Sequence, residues 1–368
     1  MTPAPAEARV PSVYFSENYP QARVAFLDAC TAAGARISGH RHPTVTAPDG
    51  SPLFTDLARF GPASPDRLVV ISSGTHGVEG FCGSGCQTGL VREGLAARLP
   101  ADTGVLLVHA LNPYGFAHLR RVNEDNIDLN RNFVDHDRPH PDSSAYAAVH
   151  ALVAPADLGD RREDWAARTR TWIAEHGLAT FQAAVTGGQY AYPDGLFYGG
   201  QVPSWSNRTW RRIIHEEMTT AHEVRLIDVH TGLGPFGHGE KLGLGATAAV
   251  RRAREIWGPD VTDLQAGASV SAVVSGDVGL PLFEILEAAG VSASGIALEY
   301  GTRQPVTVLA ALQLDNWLCI HGDPASAQGA EIKRALLDAF YPGGPERDDW
   351  TSMVFRQAVE ATDRALAG

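Results

Sequence analysis

Four short apolar segments punctuate this chain, and polar or glycine-rich residues follow each of them directly. The segments are residues 68–71, 105–109, 224–229 and 295–298. Their β-branched and aliphatic residues predict buried strands. Because apolar residues fill these segments without alternating with polar ones, we expect a sheet that helices cover on both faces.

Helical periodicity separates the strand segments. It predicts helices over residues 20–34, 79–98, 144–153, 161–176, 206–221, 247–257 and 307–320. Alternating strands and helices are typical of α/β proteins, so we predict a three-layer α/β/α sandwich. We expect one domain over residues 1–368, with residues 1–15 as a loose arm and 50–60 as an edge strand. Residues 178–206 are rich in glycine, tyrosine and proline and predict a long irregular loop.

Charge and hydropathy restrict the possible partners. The net charge of −12 argues against binding to nucleic acid or to anionic membranes. The N-terminus lacks a basic segment followed by an apolar one, and no stretch is long and apolar enough to span a bilayer. We therefore expect a cytoplasmic protein, with a composition typical of bacteria. Its oligomeric state is open at this point.

Ionisable residues lie at the ends of three of the predicted strands. His76 and Glu79 follow the first, His230 ends the third and Glu299 ends the fourth. Strands of an open α/β sheet place their carboxyl ends at one edge, so these residues can converge there. Histidine and glutamate both bind zinc, and a catalytic zinc site has three protein ligands and an open position. Asp228 faces the same side of its strand as His230 and is predicted to orient another group of the site.

A polar segment suggests how an anionic substrate could bind. Residues 126–133 contain Arg131 and are preceded by Arg120 and Arg121. The planar guanidinium group matches a carboxylate, so this segment predicts an anion clamp. A charged, solvated loop is the simpler interpretation.

The other candidates also have simpler interpretations. His76 and Glu79 could form a surface turn, and His230 could be a structural histidine. Glu299 could pair with an arginine such as Arg303. Near a metal ion, by contrast, Glu299 would be a natural general base for water.

Taken together, these motifs resemble the zinc carboxypeptidase family typified by carboxypeptidase A, and also its relatives, the succinylglutamate desuccinylases and aspartoacylases. The closest similarity is to a bacterial branch of that family, and it covers roughly residues 65–305. The resemblance implies a single catalytic domain with a mixed, mostly parallel central sheet. The motifs, in order, are His76-x-x-Glu79, Asn112-Pro113-Tyr114-Gly115, Asp128-Leu129-Asn130-Arg131-Asn132-Phe133, His230 and Glu299.

The resemblance implies a role for each residue of the metal site. His76, Glu79 and His230 correspond to the ligands of one zinc ion per chain. Asp128 corresponds to the aspartate that holds the first histidine. Glu299 corresponds to the general base that activates water.

The resemblance also implies a reaction and a substrate class. Asn130 and Arg131 correspond to the pair that binds the substrate's terminal carboxylate. Arg121 corresponds to the arginine that polarises the scissile carbonyl, and Arg120 is the competing choice. The implied enzyme is a zinc metallohydrolase that cleaves an amide or peptide bond next to a free carboxylate. Its substrate would be a small peptide or, alternatively, an N-acyl amino acid.

The chain departs from the family in one respect. Carboxypeptidase A-like enzymes carry a mobile tyrosine between the third ligand and the base, whereas no tyrosine lies between Thr231 and Leu298. Tyr190, Tyr192 and Tyr198 precede His230, and one of them could substitute. We predict Tyr198 as a substrate-binding residue of the pocket wall.

Three other functions have weaker support in the sequence. The glycines Gly232-x-Gly234-x-x-Gly237 fit a dinucleotide-binding fingerprint, but the helix that this fingerprint requires is not predicted after them. The serine-hydrolase motif G-x-S-x-G does not occur. A non-catalytic binding module on the same fold would be expected to have lost a ligand or Glu299, and both are retained.

Overall fold

The computed structural model of the chain describes residues 11–158, 161–263 and 275–367. Its centre is a seven-stranded sheet with the strand order β1-β2-β4-β3-β5-β7-β6. The strands are β1 (Arg36–Thr46), β2 (Pro52–Phe60), β3 (Arg67–Ser72), β4 (Thr103–His109), β5 (Glu223–Phe236), β6 (Gly239–Gly243) and β7 (Ser292–Gly301). The neighbours β4, β3, β5 and β7 are parallel, and the pairs β1–β2, β2–β4 and β6–β7 are antiparallel. The predicted mixed, mostly parallel sheet is confirmed.

Helices connect the strands and complete the fold. They are α1 (Tyr19–Ala32), α2 (Gly80–Arg92), α3 (Pro113–Ala117), α4 (Leu129–Asn132), α5 (Ser144–Ala147), α6 (His150–Val153), α7 (Arg162–His176), α8 (Leu178–Thr186), α9 (Trp205–Ile213), α10 (Thr247–Trp257), α11 (Gly279–Ala288), α12 (Pro305–Ile320), α13 (Ala327–Phe340) and α14 (Arg347–Leu366). In the described part of the chain, no helix combines the length and apolarity needed to cross a membrane.

The strands divide their side chains between two apolar layers. On β3, Val69 and Ile71 pack into a cluster that contains residues of α1, α2, α10 and α14. Leu68 and Val70 point to the other face, where α9 and α11 cover the sheet. This division follows from the two-residue period of a strand. The predicted three-layer α/β/α sandwich is confirmed.

The two edge strands of the sheet, β1 and β6, were not predicted as such. Residues 50–60 were predicted as an edge strand, but β1 lies outside β2 and takes the edge position. Most residues of β1 are exposed, so this strand lacks an apolar pattern. β6, at the opposite edge, is short and begins and ends with glycine. An edge strand is buried on fewer sides, and its sequence signal is correspondingly weak.

Two segments that were predicted to be irregular are partly ordered. Residues 178–206 begin with helix α8, which buries Phe181, Ala184 and Val185 along one side. The predicted loose arm is wrong for residues 11–15, because Tyr14 is buried at 3% exposure in the core beside α2. Residues 1–10 of that arm lie outside the described residues.

Most predicted helices are present with shifted or divided boundaries. The helix predicted over 79–98 is α2 flanked by two short 3-10 turns, Gly77–Glu79 and Leu95–Arg98. Gly94, with φ 84°, separates α2 from the second turn. Left-handed backbone of this kind ends a helix, and glycine adopts it without steric cost.

Candidate metal centre

The carboxyl ends of β3, β5 and β7 bring the predicted ligands and base together. His76 follows β3 in an extended conformation, and the turn Gly77–Glu79 begins directly after it. β5 carries His230, which lies opposite Glu299 of β7 in the parallel register. The convergence of strand ends that the sequence predicted is therefore present.

His76, Glu79 and His230 form a compact buried group. The two imidazole rings have centroids 5.0 Å apart. The Nδ1 atom of His76 lies 2.9 Å from Glu79 Oε1, and the Nδ1 atom of His230 lies 2.9 Å from Glu79 Oε2. One potential ligand atom from each residue lies within 4.8 Å of the others, which is close enough for a single ion.

Each histidine is oriented by an aspartate. The Nε2 atom of His76 lies 3.1 Å from Asp128 Oδ1, and that of His230 lies 2.6 Å from Asp228 Oδ2. This arrangement leaves both Nδ1 atoms facing Glu79. The Nδ1 atom of His76 is buried, and its 2.9 Å contact with Glu79 Oε1 lacks hydrogen-bond geometry. Two imidazole nitrogens and one carboxylate form a donor set that fits zinc, and carboxylate-backed histidines are common at such sites.

Arg121 lies against the ligand group. Its Nε donates to Asp128 Oδ2 at 3.0 Å, and its Nη1 donates to Glu79 Oε1 at 3.0 Å. Arg120 instead donates to Asp315 at 3.2 Å and to Asn126 at 2.9 Å. The geometry therefore places Arg121 at the site and Arg120 in a separate buried network.

Glu299 lies at the carboxyl end of β7 without a cationic partner of its own. Its Oε1 accepts a hydrogen bond from the backbone N–H of Leu233 at 2.9 Å. Arg303 pairs with Asp338 and Glu346, so the simpler interpretation of a Glu299–Arg303 pair is wrong. Desolvation, together with the negative charge of Glu79, raises the pKa of Glu299 to about 7. A carboxylate of this kind can exchange a proton near neutral pH.

The charges around the ligands set the other pKa values. Burial opposes ionisation of Glu79, but His76 and His230 outweigh it and hold the pKa of Glu79 below its usual range. Burial likewise opposes the charged form of His230, yet Asp228 raises its pKa.

The predicted carboxylate clamp is largely occupied by protein contacts. Arg131 donates from Nη2 to the carbonyl of Thr186 at 2.6 Å and from Nη1 to that of Asn130 at 3.2 Å. The side-chain oxygen of Asn130 accepts from the N–H of Val278 at 3.0 Å. The Nε atom of Arg131 is buried and has no hydrogen-bond partner among the described residues. Binding of a substrate carboxylate by Asn130 and Arg131 stays a prediction.

Tyr198 is not brought to the ligand group. The Tyr198 ring packs in the apolar layer that α9 and α11 cover. Its backbone carbonyl accepts a hydrogen bond from the N–H of Asp128 at 2.8 Å. The ring of the neighbouring Phe197 instead lies near two guanidinium groups, with its centroid 5.5 Å from Cζ of Arg121 and 5.4 Å from Cζ of Arg131. Phe197 has φ 53°, a conformation that is rare for a bulky residue. No pattern in the sequence distinguished it from the nearby tyrosines.

The other two candidate tyrosines are also engaged elsewhere. The hydroxyl of Tyr190 donates to the carbonyl of Arg131 at 2.7 Å. The ring of Tyr192 stacks on His150 at 4.1 Å. Both side chains are therefore engaged in contacts outside the ligand group.

A small cavity lies next to Arg121. Its volume is about 20 Å³, enough for roughly one water molecule. Apolar side chains dominate its wall, with buried polar groups behind them. The lining residues include Arg121, Leu196, Phe197, Leu312, Asp315 and Asn316.

Comparisons with known proteins identify a family and several similar structures. A family model described as "Protein of unknown function (DUF2817)" matches residues 15–357. No curated protein matches the chain. The similar structures include bovine thrombin-activatable fibrinolysis inhibitor in complex with tick carboxypeptidase inhibitor. This match has 10% identity and a TM-score of 0.42, and it covers 95% of this chain and 99% of that chain.

Two further structures come from bacteria. A metallo-carboxypeptidase from Burkholderia cenocepacia is 15% identical, with a TM-score of 0.39 and coverage of 95% of this chain and 71% of that chain. An aspartoacylase family protein from Mesorhizobium loti is 13% identical, with a TM-score of 0.36 and coverage of 77% and 66%.

Proposed function

The chain belongs to the DUF2817 family, and we propose that it is a zinc-dependent hydrolase that cleaves an amide bond. One observation carries this proposal. His76, Glu79 and His230 present their ligand atoms within 4.8 Å of one another. Each histidine is backed by an aspartate, and a carboxylate with a raised pKa, Glu299, ends the adjacent strand.

The proposed chemistry divides between the ion and the side chains. A bound zinc ion supplies positive charge that acidifies water and polarises a carbonyl. Glu299 accepts a proton from the attacking water and then donates it to the leaving amine. The hydrogen bond from Leu233 holds the carboxylate in place for both transfers. Because a general base works best with a pKa near the working pH, a value of about 7 suits this role.

Arg121 is proposed to stabilise the negative charge that develops on the carbonyl oxygen. Asp128 anchors its Nε, so its two terminal nitrogens point towards Glu79 and His76. A donor that is already in position needs little reorganisation when the charge forms. Arg121 can therefore donate to an oxygen that approaches the ligand group.

The proposed substrates carry a free carboxylate next to the scissile amide. Arg121 and Arg131 both lie near the Phe197 ring, 5.5 Å and 5.4 Å from its centroid, and provide two positive charges close to the ligand group. A carboxylate bound near them would fix the position of the scissile bond. A small peptide, cleaved at its C-terminal residue, is the first candidate.

An N-acyl amino acid is the second candidate. The tyrosine that carboxypeptidase A-like enzymes carry between the third ligand and the base is absent here, because no tyrosine lies between Thr231 and Leu298.

Zinc content and hydrolysis test the proposal together. We expect the purified protein to contain about one zinc per chain, as a single catalytic site does. It should hydrolyse an N-blocked dipeptide or an N-acetylated amino acid, and the preferred probe distinguishes the two candidates. Glu299→Gln should keep the zinc and lose nearly all turnover, because an amide cannot accept the proton from water.

Glu360→Gln is the matched control. Glu360 lies on the surface of α14 and pairs with Arg364 at 2.9 Å, so its loss should leave zinc content and turnover unchanged. A wild-type protein without a bound divalent metal would contradict the proposal. Normal turnover by Glu299→Gln would contradict the role of the base.

A further inference from the structure

We infer that Asp228 is a positioning residue that holds both ligand-bearing segments in place before an ion binds. The inference rests on the proposed zinc site and deepens it, because it identifies what sets the orientation of His230. Asp228 is fully buried, and its carboxylate contacts three side chains from two strand ends.

The first contact determines which nitrogen of His230 faces the ion. Asp228 Oδ2 lies 2.6 Å from His230 Nε2, so this nitrogen carries the proton of the hydrogen bond. The other nitrogen, Nδ1, then faces Glu79 Oε2 at 2.9 Å. By holding Nε2, Asp228 orients the ring so that Nδ1, the nitrogen left for a metal, is directed at the ligand group.

The remaining contacts tie Asp228 to the segment that carries His76. Ser72 Oγ donates to Asp228 Oδ1 at 2.6 Å. Thr75 Oγ1 lies 2.9 Å from Oδ1 and 3.1 Å from Oδ2. Ser72 pairs directly with Asp228 in the β3–β5 register, and Thr75 precedes His76 in the chain. A single carboxylate thus links the ends of β3 and β5, which supply different ligands.

These contacts satisfy the buried carboxyl group of Asp228. A buried carboxylate is costly unless donors satisfy it, and here two hydroxyl groups and an imidazole do so. The same bonds fix the imidazole plane and increase the basicity of the ligating nitrogen. Removal of such an outer partner typically weakens metal binding by roughly 10- to 100-fold.

Zinc affinity measured by competition with a chromogenic chelator tests the inference without relying on turnover. We expect Asp228→Asn to weaken zinc binding by roughly 10- to 100-fold. The amide has nearly the same shape but lacks the charge. Thr75→Val keeps the contact to His230 and removes one anchor, so zinc binding should weaken by about fivefold. This second variant keeps the test decisive if Asp228→Asn folds poorly.

Asp56→Asn is the matched control for the loss of a buried aspartate. Asp56 lies on β2 and pairs with Arg23 at 2.6 Å, outside the ligand group. We expect this variant to be less stable than the wild type but to bind zinc with unchanged affinity. A folded Asp228→Asn protein with wild-type zinc affinity would overturn the inference. So would zinc affinities that fall equally in Asp228→Asn and Asp56→Asn, which would indicate a general loss of structure.

Failure of the underlying proposal gives a different result. A wild-type protein that takes up no zinc refutes the zinc site, and the role of Asp228 is refuted with it. A wild-type protein that binds zinc while Thr75→Val and Asp228→Asn bind it equally well refutes the role of Asp228 alone.

Discussion

Glu79 is the residue around which the other charged groups of the site are arranged. Its Oε2 accepts from the backbone N–H of Thr231 at 3.1 Å and lies 2.9 Å from His230 Nδ1. Its Oε1 accepts from Arg121 at 3.0 Å. One carboxylate thus joins the third ligand, a backbone donor of β5 and the arginine. Changes at these neighbours should therefore affect binding and chemistry in separable ways.

Arg121→Gln should reduce catalysis far more than binding. Loss of a donor to a developing oxyanion typically lowers kcat by roughly 100- to 1000-fold. KM should change little, because the interaction is made mainly in the transition state. Steady-state kinetics on the best of the N-acyl or dipeptide probes would measure both constants.

Arg120→Gln separates the two candidate arginines. Its guanidinium pairs with Asp315 at 3.2 Å in a buried network away from the ligands. Breaking a buried ion pair should lower the unfolding free energy by about 3 kcal/mol, while kcat of the folded protein stays close to the wild-type value. If kcat fell in Arg120→Gln and not in Arg121→Gln, the assignment of the two residues would have to be exchanged.

The pH dependence of kcat/KM should report the protonation of Glu299. Desolvation and the charge of Glu79 raise its pKa to about 7, so the carboxyl gains a proton as the pH falls through that value. Only the deprotonated form can accept a proton from water, and activity should therefore fall on the acidic side. The positive charge of a bound ion acts in the opposite direction and moves this limb below pH 7. A pH profile without an acidic limb above the usual glutamate range, near 4.3, would argue against a desolvated base.

The sequence predicted the residues whose position follows from strand ends. His76, Glu79, His230 and Glu299 all lie at such ends, and the rule that parallel strands share an edge brought them together. It did not predict Phe197, because the position of this ring near two arginines depends on a left-handed backbone conformation in an irregular segment. The sequence predicted that Asp228 orients a group of the site. It did not predict that this group is His230.

At the scale of elements, the turn Gly77–Glu79 fits against α3 with almost no space between the two backbones. A Cβ atom added at Gly77 would lie 2.0 Å from the carbonyl carbon of Gly115 and 2.3 Å from its Cα atom. Backbone N–H groups of the same turn donate to the carbonyls of Arg121 and Arg120, at 3.1 Å from Gly77 and 2.8 Å from Val78. The turn therefore sets the position of Glu79 relative to Arg121.

Gly77→Ala should be strongly destabilising. The added methyl group would meet backbone atoms, which cannot move aside as a flexible side chain can. We expect a loss of about 3 kcal/mol or more in the free energy of unfolding, at the upper end of the range for overpacking. Urea denaturation followed by circular dichroism would measure it. Zinc affinity should fall as well, because Glu79 lies two residues further along the turn.

Gly343→Ala provides the comparison. A Cβ atom at Gly343 would meet no atom nearer than 3.7 Å, which is ordinary contact distance. The substitution should change stability by less than about 1 kcal/mol. Equal losses in both variants would show that the close approach of Gly77 to Gly115 contributes nothing particular.

The elements that the sequence predicted well are those with strong apolar patterns. The four central strands β3, β4, β5 and β7 were predicted within a few residues, except that β5 continues to Phe236. The continuation passes through Gly232 and Gly234, both with positive φ. In the sequence, such glycines indicate a loop. In the structure, they belong to β5, which continues beyond the position of Glu299. The exposed strand β1 lacked the pattern needed for prediction.

At the scale of the whole molecule, the candidate site connects segments that are distant in the chain. Glu79 and His230 are separated by 151 positions, and His76 and Asp128 by 52. An ion bound to these side chains would bind the folded chain and not the unfolded one. Ligand binding of this kind stabilises the native state in proportion to the logarithm of the free ligand concentration.

Zinc should therefore raise the melting temperature of the protein, and a chelator should lower it. At a free zinc concentration of about 100 times the dissociation constant, the stabilisation is about 2.7 kcal/mol. For a chain of this size that corresponds to a shift of roughly 5 °C. Differential scanning fluorimetry of metal-free protein across a zinc titration would measure the shift. His230→Gln should show little or no shift, because the third ligand is missing. If His230→Gln responded to zinc as strongly as the wild type, the stabilising ion would be bound elsewhere on the molecule.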